Sequence, residues 1–335
     1  MQEDDQSFSS AAKPAATAKS VTWTTWLRHA AEATAWFAFV GCCRVLGLNI
    51  ASALGGAVGR HVFYRVNGLM NRARENLRAA YPEKSDVELE PIIRGMCDNL
   101  GRTVAEYAHL DKFSMQGVDP RLEITNLHIA EQLLSQGRGV IFFSGHFANW
   151  ELMPFAATQI GFHGGEVYRP QNNPFIDRWL VKQRSRNGTP NQFAKGPRGT
   201  RQMFSLLRNG KAVYLLADQK TNEGIPVPFF GREAMTTPAP ALLALKVGAV
   251  LLPASIERLK GSRFRITLHS PIELTPSGDT NRDVYTLTRA INDAIEKCVR
   301  ARPEQWLWIH RRWPTSRHQD LARNRRALYS LEGNG

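Results

Sequence analysis

The chain has 335 residues, a formal net charge of +13 and 43% apolar residues. That length can bury a large core, and the apolar share is that of an ordinary globular protein rather than a disordered or fibrous one. So basic a balance favours an anionic partner: nucleic acid, an acidic membrane surface or a phosphorylated ligand. Cys42, Cys43, Cys97 and Cys298 have the spacing of neither a zinc site nor a disulfide framework, which suits a reducing compartment.

In chain order, residues 1–20 are Ala, Ser, Lys and acidic residues without an apolar run. They read as a disordered start with no cleavable signal. From Ala33 to Gly59 the only charge is Arg44. That run is long enough to cross a bilayer, although a central Arg costs roughly 2.5–3.5 kcal/mol on insertion scales. It equally reads as a kinked helical hairpin lying in the membrane interface, or as a buried helix of a soluble protein. Arg60, Arg65, Arg72, Arg74 and Arg78 follow, and under the positive-inside rule they put the rest of the chain on the cytoplasmic side. Residues 70–112 show apolar positions three and four apart and read as helices broken at Pro82.

From about Leu122 the pattern alternates. The runs "GVIFF" (139–143), "AVYLLA" (212–217), "AVLLPASI" (249–256) and "FRITL" (264–268) read as strands. Helical runs lie between them. One starts with Asn173 as cap and Pro174 in the first turn, and another starts at the capping-box pattern "TNRD" from Thr280 and ends before Pro303. Strands alternating with helices imply an α/β fold, a mostly parallel sheet flanked by helices, behind an N-terminal helical membrane-associating region. The expected divisions are a disordered start (1–20), a helical membrane-anchoring and lead-in region (21–112), an α/β domain (113–316) and a basic tail (317–335).

Chemistry concentrates at strand ends. In "GVIFFSGHFANWELMPFA", a buried strand runs into a turn, the place where open α/β sheets put their ligand sites. Asn149 can cap a helix starting at Trp150, which puts Glu151 in its first turn and lets the carboxylate reach back to His146. A His held by a carboxylate is a general base of fixed tautomer. Ser144 sits on the strand side of the turn, so the pattern favours activation of a substrate hydroxyl over a covalent enzyme. On spacing alone, a loop His beside a helix cap with a solvated Glu151 fits as well. In "EVYRPQNNPFIDRWLVKQRSRNG" (166–188), Arg169 ends a strand where it can meet a phosphate or an oxyanion, while Lys182 and Arg186 read as a solvated basic face. In "AVYLLADQKTNEGIPVPFFGREAMTTPAP" (212–240), Asp218 and Gln219 end another strand. Asp218 can orient a base, bind a hydroxyl, or merely cap the strand. The following Pro/Phe stretch reads as a long loop, buried or walling an acyl chain. The segment "PEQWLWIHRRWPTSRHQDLARNRRAL" interleaves Trp and Arg, as an anionic membrane surface, a phosphorylated lipid or single-stranded nucleic acid would require. A core-packed segment with a basic tail is the plainer reading.

Taken together, "NRARENLRAAYPE", "GHFANWE", "YRPQNNPFIDR", "LADQ", "VPFFGREAMTTPAPALLALKVGAVLLPASI" and "WLWIHRRW" resemble the late acyltransferases of lipid A biosynthesis, the lauroyl/myristoyl type, over roughly residues 30–315. The resemblance implies transfer of a fatty acyl chain from an acyl carrier protein thioester to a hydroxyl of a phosphorylated glucosamine disaccharide lipid at the cell inner membrane. The catalytic domain would lie on the cytoplasmic side, with a single-pass or monotopic anchor. "GHFANWE" takes the place of the family's H-x4-D/E motif, which implies His146 as base and Glu151 as its partner. Arg169 and Asp218 fall in segments that serve the family's site. Asn149, Asn173, Arg178 and Gln219 complete the candidates for oxyanion or substrate contacts, with Arg178 a candidate for acceptor phosphate. No metal or nucleotide cofactor is implied, and no nucleic acid is expected. Relatives with the same dyad acylate other lipids, including phosphatidylinositol mannosides. Two rival readings remain open here: a basic membrane- or nucleic-acid-binding protein without chemistry, and a hydrolase using the dyad on water.

Overall fold

A computed structural model of the chain describes residues 22–313, with the exception of Pro190 and Lys195. The expected disordered start and basic tail lie outside the described residues.

Four helices open the structure: α1 (Trp23–Leu46), α2 (Leu48–His61), α3 (Asn67–Ala80) and α4 (Asp86–Glu106). The apolar run from Ala33 to Gly59 is therefore not one helix. Gly47, at φ +75°, ends α1 and begins α2, a conformation that costs glycine little. No helix among the described residues is long and apolar enough to cross a membrane, which overturns the transmembrane and single-pass expectation. The causes are the break at Gly47 and the charges Arg28, Glu32 and Arg44 on α1; Arg44 is paired with Asp111 at 2.9 Å. The glycines of α2 serve packing instead. A Cβ on Gly59 would stand 2.0 Å from the Cys97 carbonyl oxygen, and one on Gly55 2.4 Å from that of Gly101, so α2 and α4 touch backbone to backbone. Left outward on α1 and α2 are Trp23, Phe37, Val45, Ile50, Leu54 and Val58, all exposed.

The remainder alternates as expected: β1 (Leu122–Thr125), α5 (Leu127–Gln136), β2 (Val140–Ser144), α6 (Leu152–Gln159), β3 (Gly164–Tyr168), α7 (Pro174–Arg186), β4 (Asn191–Ala194), α8 (Pro197–Arg208), β5 (Ala212–Leu216), β6 (Ile225–Phe229), β7 (Arg232–Thr236), α9 (Ala239–Val247), β8 (Val250–Arg258), β9 (Phe264–Leu268) and α10 (Thr280–Ala301). Seven strands form one sheet in the order β1-β9-β8-β2-β5-β3-β4. All neighbours are parallel except β8 and β9. Every residue of β2 is buried, as a central strand covered on both faces requires.

Two local expectations differ from the structure. The Pro/Phe stretch is not a loop but an antiparallel hairpin, β6–β7. Its Phe229 and Phe230 pack on Trp306, Trp308 and Trp313. The ends of α10 fall as expected, but its cap is Asp279, whose carboxylate accepts from the N–H groups of Asn281 and Arg282; the Thr280 side chain is not the cap.

Candidate active site

The strand register places the chemistry. Ser144 of β2 lies opposite Leu216 of the parallel neighbour β5. Two residues beyond each strand end stand His146 and Asp218, at the same height above the sheet. Nδ1 of His146 is 2.8 Å from Asp218 Oδ1, and the His146 backbone N–H donates to Oδ2 at 2.7 Å. Trp306 Nε1–H donates to the same Oδ2 at 2.8 Å. Burial by itself raises a carboxyl's pKa, but the imidazole beside Asp218 and these donated hydrogen bonds outweigh it and hold the group well below the usual carboxylate range. An ionised Asp218 requires a proton on Nδ1, so the imidazole presents a lone pair at Nε2.

Glu151 does not make that contact. It is buried, and it receives Nε–H and Nη2–H of Arg184 at 2.8 and 2.7 Å together with the Tyr107 hydroxyl at 2.9 Å. The hydrogen-bonded carboxylate of His146 is therefore Asp218, and Glu151 lines the same cavity without a hydrogen bond to the imidazole. The turn carries the reason. Residues 145–151 are not helical, α6 begins only at Leu152, and Ala148 at φ +44° turns the chain away. Asn149 accordingly does not cap α6; its side-chain N–H donates to buried Glu106 at 3.0 Å. Below the turn, Asn99 and Thr103 of α4 donate to the Ala148 carbonyl, and the Arg258 guanidinium binds Glu106 and Asn99. The turn thus rests on a buried hydrogen-bonded network built on the Arg258–Glu106 salt bridge.

A cavity of about 460 Å³ opens at these strand ends, lined by His146, Trp150, Glu151, Arg169, Gln219 and His310 among others. Arg169 is exposed at its rim. The Gln219 amide nitrogen lies 3.2 Å from His146 Nε2. Asp218 stands behind the imidazole. Asn173 is elsewhere: it caps α7 and donates to Glu32 and the His29 carbonyl of α1. Arg178 is exposed on α7 away from the cavity lining. The N–H groups of His146, Phe147 and Ala148 are donated to Asp218, the Gly145 carbonyl and the Gln305 carbonyl, so those three are not free to hold an oxyanion. Phe142, Met153 and Tyr214 divide the cavity from a narrow apolar cleft beneath α6. The hairpin "PVPFFG" does not line it, contrary to the expectation of an acyl-chain wall; its aromatic side chains face the Trp segment.

Sequence reading missed Arg184 and Glu166, which pointed to nothing beyond a basic helix face and a strand residue. Arg184 Nε lies 3.0 Å from Glu166 Oε1, but its hydrogens are directed at Glu151, so Glu166 Oε1 gains proximity without a hydrogen bond. Burial, with Glu151 nearby, raises the Glu166 pKa to about 8 despite Arg184. The native state therefore holds a proton there that an unfolded Glu, at about 4.3, releases. Stability from this group is full below that unfolded value and is lost as pH rises through about 8. Replacement Glu166→Gln should flatten the fall of the melting temperature between about pH 4.5 and pH 8; an unchanged slope would mean that Glu166 is already ionised.

Residues 21–315 match the family described as bacterial lipid A biosynthesis acyltransferase. The chain belongs to that family. It is 27% identical over 267 residues to the lipid A biosynthesis lauroyltransferase of Escherichia coli (strain K12), covering 78% of this chain and 84% of the relative. It is 25% identical over 284 residues to the lipid A biosynthesis myristoyltransferase of the same strain, covering 82% and 85%. It is also 25% identical over 274 residues to the phosphatidylinositol mannoside acyltransferase of Mycobacterium tuberculosis (strain ATCC 25618 / H37Rv), covering 79% and 82%. The protein is thus an O-acyltransferase of lipid A biosynthesis, as the motif order implied, and the cavity at the ends of β2, β3 and β5 is where its chemistry is to be sought.

Proposed function

We propose that the enzyme moves a fatty acyl chain from an acyl carrier protein thioester to a hydroxyl of a phosphorylated glucosamine-disaccharide lipid, with His146 as general base. The observation that carries this is the imidazole whose Nδ1 is held by buried Asp218 while Nε2 faces the cavity. Nε2 takes the acceptor's proton as its oxygen attacks the thioester carbonyl. Arg169 and Gln219, donors that line the cavity, receive the oxyanion. Collapse breaks the C–S bond, and the proton on Nε2 passes to the departing thiolate. Glu151 serves at one remove from the imidazole, as an anion in the same cavity fixed by Arg184. This replaces the direct His146–Glu151 contact with a His146–Asp218 pair and a second carboxylate. Ser144, buried with its hydroxyl unpaired at the cavity, is a polar contact for substrate rather than a nucleophile.

The kinked pair α1–α2 docks the enzyme on the inner membrane from the cytoplasmic side as a monotopic protein. Its outward Trp and aliphatic side chains support that reading. An acidic carrier protein suits a chain of charge +13.

The test is incubation of detergent-purified protein with acyl carrier protein thioesters and a phosphorylated, hydroxyacylated glucosamine disaccharide, followed by mass spectrometry. A gain of one acyl group is expected, with turnover reduced about 10²-fold or more in His146→Ala. Near-normal turnover in that variant would remove His146 from the mechanism.

A further inference from the structure

Beside His146 stands a second histidine that no motif singled out. His310 lines the cavity, and its ring centroid is 5.3 Å from that of His146. Between them is Gln219, whose amide nitrogen is 3.2 Å from His146 Nε2 and 3.3 Å from His310 Nε2. The orientation of that amide follows from the chemistry of its neighbours. Asp218 keeps the His146 proton on Nδ1, so His146 Nε2 can only accept there. A carbonyl oxygen turned toward it would set two lone pairs against each other. The amide therefore shows its N–H groups, and the second one needs an acceptor at His310 Nε2. Burial first, and then the nearby His146, push the His310 pKa down to about 4, which leaves its ring neutral and able to accept. The segment that carries His310 is fixed: Asn76 of α3 donates to the carbonyls of Trp308 and His310 at 2.6 Å each, and Arg72 donates to that of Ile309 at 3.3 Å.

We propose that His310 is a positioning residue that tethers the Gln219 amide, so that one N–H stays on His310 while the other is handed from His146 Nε2 to the oxyanion. The proposal rests on the acyl-transfer reading above. In the resting cavity the amide occupies the lone pair that must take the acceptor's proton. When the acceptor hydroxyl arrives at Nε2 it displaces that N–H. The tether keeps the amide at the reacting carbonyl, where the freed N–H meets the negative charge that develops on oxygen. No atom is transferred to or from Gln219 or His310. Without the tether the amide is free to rotate, and the donor is lost at the moment it is needed.

The decisive measurement is a double-mutant cycle on the full chain, with KM and kcat measured for both substrates. Gln219→Ala should lower kcat about 10²-fold. His310→Phe should lower kcat at least about tenfold with little change in either KM, as expected for an interaction made in the transition state. In the Gln219→Ala background the same His310→Phe change should cost nothing more. His310→Gln, which restores an oxygen acceptor at similar reach, should recover most of the loss. Additive losses, or no recovery with Gln, would overturn the tether and leave His310 a packing residue. If the wild-type protein transfers no acyl group, the acyl-transfer reading fails by itself. The tether is then read from imidazole nitrogen resonances: Gln219→Ala must move that of His310 Nε2, and His310→Phe that of His146 Nε2. Unmoved resonances would overturn it.

Discussion

Asp218→Asn should reduce turnover by about 10²-fold or more while leaving the fold intact, because it inverts the His146 tautomer. The Oδ2 position receives two donors, the His146 backbone N–H and Trp306 Nε1–H. Both need an acceptor, so an Asn would place its carbonyl oxygen there and its amide N–H at the Oδ1 position. That N–H faces His146 Nδ1 and calls for a lone pair on it. The imidazole proton then moves to Nε2, the atom that takes the acceptor's proton in the proposed mechanism. Size and the two buried hydrogen bonds at Oδ2 are kept, so little stability should be lost. Turnover measured alongside the melting temperature separates the cases. Normal turnover would mean that Asp218 does not control the tautomer, whereas a collapse of both would make it a structural residue.

Arg184→Met should have the largest effect on stability. Arg184 alone faces two buried carboxylates, Glu151 with two hydrogen bonds and Glu166 by proximity. Burial raises the pKa of both carboxyls, and Arg184 foremost, with smaller help from Tyr107 and His146, brings Glu151 below its ordinary value. Removing one partner of such a buried pair typically costs about 3–5 kcal/mol, since the other charge stays buried and uncompensated. For a chain of 335 residues that is a fall of about 4–7 °C in the melting temperature. Adding Glu151→Gln should return much of the loss, because the amide carries no charge to strand. A single variant within about 1 °C of wild type would show that water already reaches Glu151.

Two of the strands that frame the site, β2 and β5, could be read before any fold was seen, because each is a short apolar run ending in polar residues, while β3 was legible only as the strand that Arg169 ends. That is how 146, 169 and 218 were singled out, and all three stand at the carboxyl ends of β2, β3 and β5. Pairing among them could not be read in the same way. His146 and Glu151 lie near each other in sequence and invite pairing, yet His146 meets Asp218, which is 72 residues away. The contact exists because β2 and β5 are parallel neighbours in register, a property of the sheet and not of either segment. Arg184 was legible only as one more cation on a basic helix. That it points inward depends on α7 packing against the cavity wall, and its neighbours Lys182 and Arg186 point out. His310 was hidden inside a Trp/Arg run that could be read as a surface or as a core-packed segment; Trp306, Trp308 and Trp313 are core.

By itself, then, the order of residues determined the kind of fold, the strand ends that bear polar side chains, and the family to which they belong, since hydrophobic period, turn chemistry and motif order are all local along the chain. Tertiary structure alone decided which carboxylate holds His146, which cation neutralises the second carboxylate, and where the first apolar run breaks into two helices, neither long and apolar enough to cross a membrane. Those outcomes depend on strand register, on helix packing and on burial. Each arises only when segments far apart in sequence are brought within a few ångströms.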